Sequence, residues 1–451
     1  MRKNLKALFT VAIASVLMLT ACNSNATPGN QGGNTGTDNS GSDQENWLEA
    51  PSLKEAYVDS GIFDRFGFAC ETREISNADT VKGLVRHGNT TTPGNELKPD
   101  FVFAWPNSIS TKSYTDSAGT KIQVPSSINF AERMDPFLNS VKAAGLQMRG
   151  HVLVWHSQTP EWFFREDYNA NKSLVDKATM TARQEWYIKS VLEHVAEWEK
   201  KNGYGEGNHL IYSWDVVNEA VADDASKSGT DFLRGSTPDT KDKSPSDGGS
   251  RWYQIYGSGE FIVNAFRFAN AYAPADVTLC YNDYNEYMDW SGDHGAYKTT
   301  SIERLINLIK NGEAKTIDGK LVKPRIDAIG MQSHVGASWP EVSGYEGALK
   351  RYLALGIDVQ VTEFDLGTST KDDTSNWSSY FKMLRKYGKN GSEASKYDGH
   401  CITGVTIWGI NDENSWIRIS NGVTQYPLLF KKSESSYLTK KCFYSVLEAT
   451  N

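Results

Sequence analysis

Short apolar runs alternate with longer amphipathic stretches along the chain from residue 61 onward. The amphipathic stretches predict helices, most clearly over residues 180–200, where apolar side chains recur at the helical period, and also over 301–310 and 345–355. The short apolar runs are typical of buried strands and predict strands at residues 65–70, 87–92, 147–154, 210–217, 277–282, 326–332, 358–362 and 401–408.

Eight strands that each precede a helix predict an α/β fold of the (β/α)8 or TIM-barrel class, as a single domain over residues 47–451. The alternative is an open doubly wound sheet. However, no Gly-x-Gly-x-x-Gly motif follows the first predicted strand, and no phosphate-binding loop occurs. Polar tracts at residues 107–127 and 223–250 are predicted to be loop insertions, the second of them a long loop.

The first 46 residues have a different character from the rest. Basic residues at positions 2, 3 and 6 precede an apolar stretch at 7–20, which is too short to span a bilayer as a mature helix. The stretch ends in Leu-Thr-Ala-Cys, which resembles a bacterial lipobox. It predicts a lipoprotein signal peptide over residues 1–22 and a lipid-modified Cys22, with ordinary secretory cleavage as the alternative. Residues 23–46 contain no Leu, Ile, Val or aromatic residue and are predicted to be a flexible linker.

Composition excludes some classes of function. The chain of 451 residues has 47 basic and 55 acidic side chains, a formal charge of −8, so it lacks the basic surface typical of a nucleic-acid-binding protein. A hydrophobic content of 39% excludes global disorder. Aromatic residues make up 12% of the chain. They are expected either to fill the core or to line a cleft that stacks on sugar rings, and composition does not choose between these interpretations.

The cysteines indicate no structural metal site, because no Cys-x-x-Cys or His-x-x-x-His pair is present. Cys70 and Cys280 fall in predicted strands, where buried free thiols are expected. A disulfide between Cys401 and Cys442 is compatible with the sequence, although spacing alone does not fix a pairing.

Two predicted strands end in acidic residues. Asn218 and Glu219 close the apolar run at 214–219, and Glu363 and Asp365 close the run that begins at 358. Barrel enzymes carry their catalytic groups at the carboxyl ends of the strands. A glutamate at a strand end is more often simply solvated, but two that face one cleft suit cleavage of a glycosidic bond. That reaction needs one protonated and one ionised carboxyl group.

Seven segments in order resemble glycoside hydrolase family 10, the β-1,4-xylanase family, over nearly all of residues 50–450. They are GNELKP at 94–99, GHVLVWH at 150–156, WDVVNE at 214–219, YNDYN at 281–285, GMQSH at 330–334, TEFD at 362–365, and TIWG at 406–409 followed by SW at 415–416. The resemblance implies an eight-stranded βα barrel that hydrolyses xylan internally by a retaining double displacement. We expect xylan or xylo-oligosaccharides as partners.

The resemblance assigns roles at the bond that is cleaved. Glu219 corresponds to the general acid/base and Glu363 to the nucleophile of the family. His334 and Asp365 correspond to the pair that orients the nucleophile. Asn218 corresponds to the residue that contacts the 2-hydroxyl of the sugar. Gln332 corresponds to a residue close to the acid/base.

The resemblance also assigns the sugar-binding walls. The glycone wall consists of Asn95, Lys98, His151 and Trp155. Two tryptophans, Trp408 and Trp416, would close over the sugar. Tyr284 would contact the sugar on the leaving-group side. One departure concerns position 94, where the family usually has glutamate and this chain has glycine. The change is expected to affect affinity one sugar beyond the cleavage site rather than the chemistry, and another acceptor could come from the insertions. Phe364, where an aliphatic residue is more usual, should alter only packing.

Other readings of the sequence remain open. One is a related barrel β-glycanase that acts on cellulose or mixed-linkage glucan. Another is a surface lipoprotein that binds xylan without cleaving it, and a third is a solute-binding lipoprotein, which would require two βα lobes. We expect no metal or organic cofactor because carboxylates perform the chemistry. We also expect no nucleic acid partner, a monomer, and a lipid anchor that holds the protein at the bacterial cell surface.

Overall fold

Eight parallel strands pair edge to edge and close into a barrel in the computed structural model, which describes residues 44–104, 109–290, 297–434 and 436–450. The strands are β1 (Arg65–Cys70), β2 (Thr90–Pro93), β3 (Gln147–Trp155), β4 (Ile211–Asn218), β5 (Thr278–Asp283), β6 (Ala328–Met331), β7 (Asp358–Gly367) and β8 (Ile402–Ile407). Each strand pairs with the next in chain order, and β8 also pairs with β1, so the ring has no free edge.

A helix follows each strand and packs an apolar face on the barrel. The strands are buried almost throughout, as in β4, where one residue of eight is partly exposed; this is the pattern of parallel strands covered on both faces. The helices are α1 (Ala78–His87), α2 (Asp135–Ala144), α3 (Lys177–Lys201), α4 (Glu260–Tyr272), α5 (Lys298–Lys310), α6 (Val342–Leu353), α7 (Thr374–Lys386) and α8 (Lys441–Glu448). The predicted (β/α)8 barrel is confirmed.

Shorter elements decorate the connections. A short strand, His334–Gly336, pairs with the end of β7. The described residues form four hairpins: Thr111–Thr115 with Lys121–Pro125, Lys315–Ile317 with Lys320–Val322, Ile419–Ser420 with Val423–Thr424, and Phe430–Lys432 with Tyr437–Thr439. Short helical turns are Glu55–Asp59, Thr72–Ile75, Pro99–Phe103, Phe130–Arg133, Glu161–Phe164, Glu166–Tyr168, Pro245–Asp247, Arg251–Tyr256, Ala394–Tyr397 and Asp412–Asn414.

The predicted strand at 87–92 is wrong at its start, because His87 ends helix α1. The side chain of Asn77 caps the first turn of that helix, and the chain leaves the helix at Gly88, so the strand begins only at Thr90. His87 is fully buried and its Nε2 lies 2.7 Å from the carbonyl oxygen of Trp47. Its burial therefore comes from helix packing and not from strand pairing.

Three further expectations from the sequence concern the polar tracts, the start of the folded body and the cysteines. The polar tract at 107–127 contains the Thr111–Thr115 hairpin, whereas 223–250 is a long loop as predicted. The folded body begins before Trp47, because the carbonyl of Glu45 already accepts a hydrogen bond from the backbone N–H of Thr439 at 2.9 Å. The suggested Cys401–Cys442 disulfide is wrong, since both side chains are buried free thiols.

Within the described part of the chain, no helix is both long and apolar enough to cross a membrane. The predicted signal peptide and Cys22 lie outside the described residues.

Candidate active site

The two candidate catalytic carboxylates lie just after β4 and in the carboxyl-terminal half of β7. Glu219 follows the last residue of β4, and its N–H donates to the carbonyl of Asn282 at 2.9 Å. Glu363 lies inside β7, and its N–H donates to the carbonyl of Gln332 at 3.0 Å. Both side chains are buried, so each is held by its neighbours rather than by solvent.

A cluster of side-chain amides connects the two carboxylates. Asn282 Nδ2 donates to Glu363 Oε1 at 2.8 Å and to Asn218 Oδ1 at 2.9 Å. Asn218 Nδ2 in turn donates to Glu219 Oε1 at 3.0 Å, and Gln332 Nε2 donates to the same oxygen at 3.0 Å. We call Asn218, Asn282 and Gln332 the amide cluster. It fixes one oxygen of each carboxylate and leaves the other for different partners.

His334 supports Glu363 from the other side. Its Nε2 lies 3.4 Å from Glu363 Oε2, and its Nδ1 lies 3.0 Å from Asp365 Oδ1. Burial opposes the charge, but Asp365 and Glu363 raise the pKa of His334 to about 10. Burial also opposes ionisation of Glu363, yet its pKa is lowered by the His334 hydrogen bond, by the charges of His151 and His334, and by Asn282. This arrangement favours an ionised Glu363 beside an imidazolium.

Glu219 is held differently. Its Oε2 accepts a hydrogen bond from Trp155 Nε1 at 2.9 Å, and His156 Nδ1 lies 4.0 Å from the same oxygen. The backbone of Glu219 has a φ of +54°, a left-handed conformation that is uncommon for a residue with a side chain. Arg234 Nε secures it by donating to the Glu219 carbonyl at 3.1 Å.

The predicted glycone wall forms one connected group. Lys98 is buried; its Nζ lies 5.1 Å from the ring centroid of Trp155 and donates to Asn95 Oδ1 at 3.3 Å. Burial lowers the pKa of Lys98, while Glu363 and nearby carboxylates oppose the shift. His151 Nδ1 is 2.9 Å from Asp215 Oδ2, and this contact fixes the ring orientation.

A carboxylate from another loop occupies the space beside Gly94. A Cβ at position 94 would meet Glu71 Cγ at 3.2 Å and Glu71 Oε1 at 3.8 Å. Glu71 directly follows β1, its side chain is 43% exposed, and its Oε1 accepts a hydrogen bond from Asn95 Nδ2 at 3.3 Å. The chain therefore lacks a carboxylate at position 94 but presents one next to it.

Two tryptophans border the site from the loop after β8. Trp416 Nε1 donates to Asp365 Oδ2 at 2.7 Å, and its ring centroid lies 4.9 Å from that of His334. The half-buried Trp408 lies between the rings of His151 and His334, with centroid distances of 5.9 and 6.5 Å. Their indole rings thus lie directly against the histidines of the site.

Tyr284 lies in a charged cluster behind Glu219. Its hydroxyl accepts a hydrogen bond from Arg234 at 2.9 Å and donates to Asp223 Oδ2 at 3.0 Å. Lys298 is fully buried, with Nζ 2.8 Å from Asp223 and 3.0 Å from Asp283. Arg234 joins this cluster to the backbone of Glu219, so the cluster positions the acid/base candidate.

Comparison with known proteins matches the whole barrel to one family. The family model described as Glycosyl hydrolase family 10 matches residues 52–449. The chain belongs to glycosyl hydrolase family 10.

Relatives within family 10 are named as xylanases. Endo-1,4-β-xylanase Y of Acetivibrio thermocellus is 33% identical over 386 residues, which cover 84% of this chain and 30% of that protein. Endo-1,4-β-xylanase B of Butyrivibrio fibrisolvens is 32% identical over 404 residues, covering 88% and 53%. The chain therefore spans about half or less of the length of these curated relatives.

Solved family 10 structures share the fold. The two-module N-terminal part of endo-1,4-β-D-xylanase 10B of Clostridium thermocellum, complexed with xylohexaose, has a TM-score of 0.66 at 29% identity. The match covers 88% of this chain and 68% of that one. An endo-1,4-β-xylanase of Caldicellulosiruptor owensensis has a TM-score of 0.61 at 25% identity, covering 88% and 99%.

The structure brings the thirteen predicted site residues within the barrel together through direct contacts or a single intervening residue. Sequence reasoning missed Asn282, Arg234 and Glu71. The sequence held a signal for two of them, because Asn282 lies inside the YNDYN motif at 281–285 and Glu71 directly follows the predicted strand at 65–70. Arg234 lies in the long polar loop and gave no such signal. Among the described residues, no cluster of three or more His, Cys, Asp or Glu could hold a metal ion.

Proposed function

We propose that this family 10 protein hydrolyses internal β-1,4-xylosidic bonds of xylan, with Glu219 as general acid/base and Glu363 as nucleophile. The observation that carries the proposal is the amide cluster, which binds one oxygen of each carboxylate at the mouth of the barrel. Glycoside hydrolysis requires two carboxyl groups that flank one bond, one protonated and one ionised.

In the first step, Glu363 attacks the anomeric carbon and a glycosyl-enzyme ester bond forms. The bond from that carbon to the leaving oxygen breaks, and Glu219 donates its proton to this oxygen. The lowered pKa of Glu363 favours the ionised nucleophile at neutral pH, and His334 fixes its orientation. Asn218, which donates to Glu219, would contact the 2-hydroxyl of the sugar.

In the second step, Glu219 acts as a base. It takes a proton from water, and the resulting hydroxide equivalent attacks the anomeric carbon and releases Glu363. Two inversions at one carbon restore the original anomeric configuration. Trp155 and Arg234 support this step because they bind the carboxylate and the backbone carbonyl of Glu219.

Xylan is favoured as the substrate by the names of the relatives and by the two tryptophans that border the site, Trp408 and Trp416. The relatives are named endo-1,4-β-xylanases, and one solved relative holds xylohexaose. Xylose lacks the exocyclic hydroxymethyl group of glucose. Trp408 lies against His151 and Trp416 against His334, and indole rings that pack against the sugar would exclude the extra hydroxymethyl group of glucose by steric clash.

The decisive assay compares release of reducing sugar from xylan and from soluble cellulose. We expect cleavage of xylan, retention of configuration in the first product formed, and a large loss of activity in Glu219→Gln and Glu363→Gln. Glu341→Gln is a matched control because Glu341 lies at the start of α6 on the surface. Cleavage of cellulose but not xylan would support a different β-glycanase, and xylan binding without cleavage would support a non-catalytic lipoprotein.

We also propose that the protein is a monomer anchored by lipid at the bacterial cell surface. The lipobox-like sequence ending at Cys22 and the polar linker that follows support this location. Growth with radiolabelled fatty acid should label the wild-type protein and not Cys22→Ser. Equal labelling of both would refute the anchor at Cys22, and absence of label would favour secretion.

A further inference from the structure

Two tryptophans outside the site described above expose large apolar surfaces. Trp290 and Trp339 are 42% and 44% exposed. Their ring centroids lie 5.8 Å apart at an interplanar angle of 82°, so they form an edge-to-face pair. We call Trp290 and Trp339 the tryptophan pair. Adjacent exposed aromatic rings on a protein surface commonly mark a place of binding.

Both members of the pair belong to structured loops. Gly336 N–H donates to the Trp339 carbonyl at 2.7 Å, and Tyr380 Oη donates to the carbonyl of Pro340 at 2.8 Å. The loop that leads to Trp290 is fixed by Thr299, whose backbone N–H donates to the Met288 carbonyl at 2.9 Å. Aromatic rings that are already positioned lose little conformational freedom when a ligand stacks on them.

The tryptophan pair is linked to the active site through Tyr287. Trp339 packs edge-to-face on Tyr287, with centroids 5.0 Å apart, and Tyr287 Oη donates to the His334 carbonyl at 2.9 Å. Trp290 follows β5 and Trp339 follows β6, so both lie at the same end of the barrel as Glu219 and Glu363.

The position of the pair around the barrel indicates which part of a sugar chain would reach it. The glycone wall lies at β2 and β3, because Lys98 follows β2 and His151 lies inside β3, whereas the pair follows β5 and β6 on the opposite side of the mouth. A linear chain that crosses the mouth from the glycone wall past the two carboxylates continues toward β5 and β6. The part of the chain on that side is the leaving group.

We propose that the tryptophan pair binds a xylose ring of the leaving-group part of the chain, beyond the sugar that receives the proton from Glu219. This inference rests on the proposed function, and it names a subsite of the same cleft. Pyranose rings present C–H groups on their faces, which stack on indole rings, and no charged partner is required.

The test compares a long substrate with one whose leaving group is a single aromatic ring. Wild type, Trp290→Ala, Trp339→Ala and the double variant are assayed on xylohexaose and on 4-nitrophenyl xylobioside. We expect the double variant to lose roughly three- to tenfold in kcat/KM on xylohexaose and to keep its value on the aryl substrate. Trp339→Phe should recover part of the loss, and Leu321→Ala, at a side chain that is 76% exposed elsewhere, should change neither value.

Unchanged cleavage of xylohexaose by the double variant would overturn the subsite. So would an equal loss on both substrates, which would indicate a structural role for the pair. The other possible occupant of the tryptophan pair is a second copy of this chain, which sedimentation over a range of concentrations tests. A wild-type dimer that the double variant loses, with unchanged kinetics, would assign the pair to self-association. A wild type that cleaves neither xylan nor xylohexaose would instead refute the proposed function, which is a distinguishable result.

Discussion

Asn282 donates a hydrogen bond of 2.8 Å to Glu363, and the second hydrogen of the same amide binds Asn218 beside Glu219. Thr362 Oγ1 donates to the carbonyl oxygen of the Asn282 amide at 2.6 Å and so fixes which end of the amide faces the carboxylate. The spacing of the two candidate catalytic groups therefore depends on a residue that performs no chemistry itself.

We predict that Asn282→Ala lowers kcat/KM on xylan by roughly ten- to a hundredfold, because a hydrogen bond to a charged carboxylate contributes about 1.5–3 kcal/mol. Thr362→Val should cause a smaller loss, since it removes only the group that orients the amide. Asn311→Ala, at the surface end of α5, is the control. An Asn282→Ala enzyme with full activity and an unchanged pH profile would contradict a positioning role.

The protonated His334 predicts a stability that depends on pH. Asp365 and Glu363 raise its folded-state pKa from 6.5 to about 10 against the effect of burial. Its contribution to the free energy of unfolding is therefore fully present below about pH 6.5 and lost as pH rises toward 10. The stability difference between wild type and His334→Gln, measured by denaturant unfolding, should shrink over that window. NMR should detect an imidazolium at His334 at pH 8, and a neutral ring there would contradict the assignment.

Glu363 predicts the opposite dependence at acid pH. Its pKa is lowered in the folded state, so its contribution to stability is present above its unfolded pKa and is lost as pH falls through the folded value. Glu363→Gln should therefore lose less stability than wild type on acidification. Equal acid sensitivity of the two proteins would contradict a lowered pKa at Glu363.

Glu71 is predicted to replace the carboxylate missing at position 94. Glu71→Ala should lower kcat/KM by roughly tenfold on substrates that fill two glycone sugars, and should not affect an aryl xyloside that fills one. Gly94→Glu in the Glu71→Ala background should restore activity. In the wild type, Gly94→Glu should interfere with activity, because the Cβ of the new side chain would lie 3.2 Å from Glu71 Cγ. Equal effects on both substrates would indicate that Glu71 acts only on folding.

Lys298 is predicted to be a major determinant of stability. Its removal in Lys298→Met leaves Asp283 buried without its cation, which should lower the free energy of unfolding by about 3–5 kcal/mol. Lys389→Met is the matched control, because its 2.9 Å ion pair with Asp64 is exposed and should contribute at most about 1 kcal/mol. Similar losses in the two variants, measured by chemical denaturation, would show that burial does not strengthen the Lys298 contacts.

Sequence alone predicted the barrel because its strands are short, apolar and separated by long helical stretches. The strand at 65–70 was predicted to the residue, since a polar residue lies at each end of the apolar run. The strand at 87–92 was misjudged because a buried histidine at a helix end resembles the start of a strand. Residues that contribute mainly by position were harder to find: Asn282 and Glu363 are 81 positions apart, and only the closed barrel brings them together.

The most direct test of the account is to trap the covalent intermediate. A 2-fluoro xylobioside with a good leaving group should inactivate the protein. The fluorine slows both steps, whereas the good leaving group speeds only the first, so the glycosyl-enzyme ester accumulates. Peptide mass spectrometry after digestion should then find one sugar adduct, on Glu363, and none in Glu363→Gln. An adduct on another residue, or hydrolysis with inverted configuration and no adduct, would contradict the roles assigned to Glu363 and Glu219.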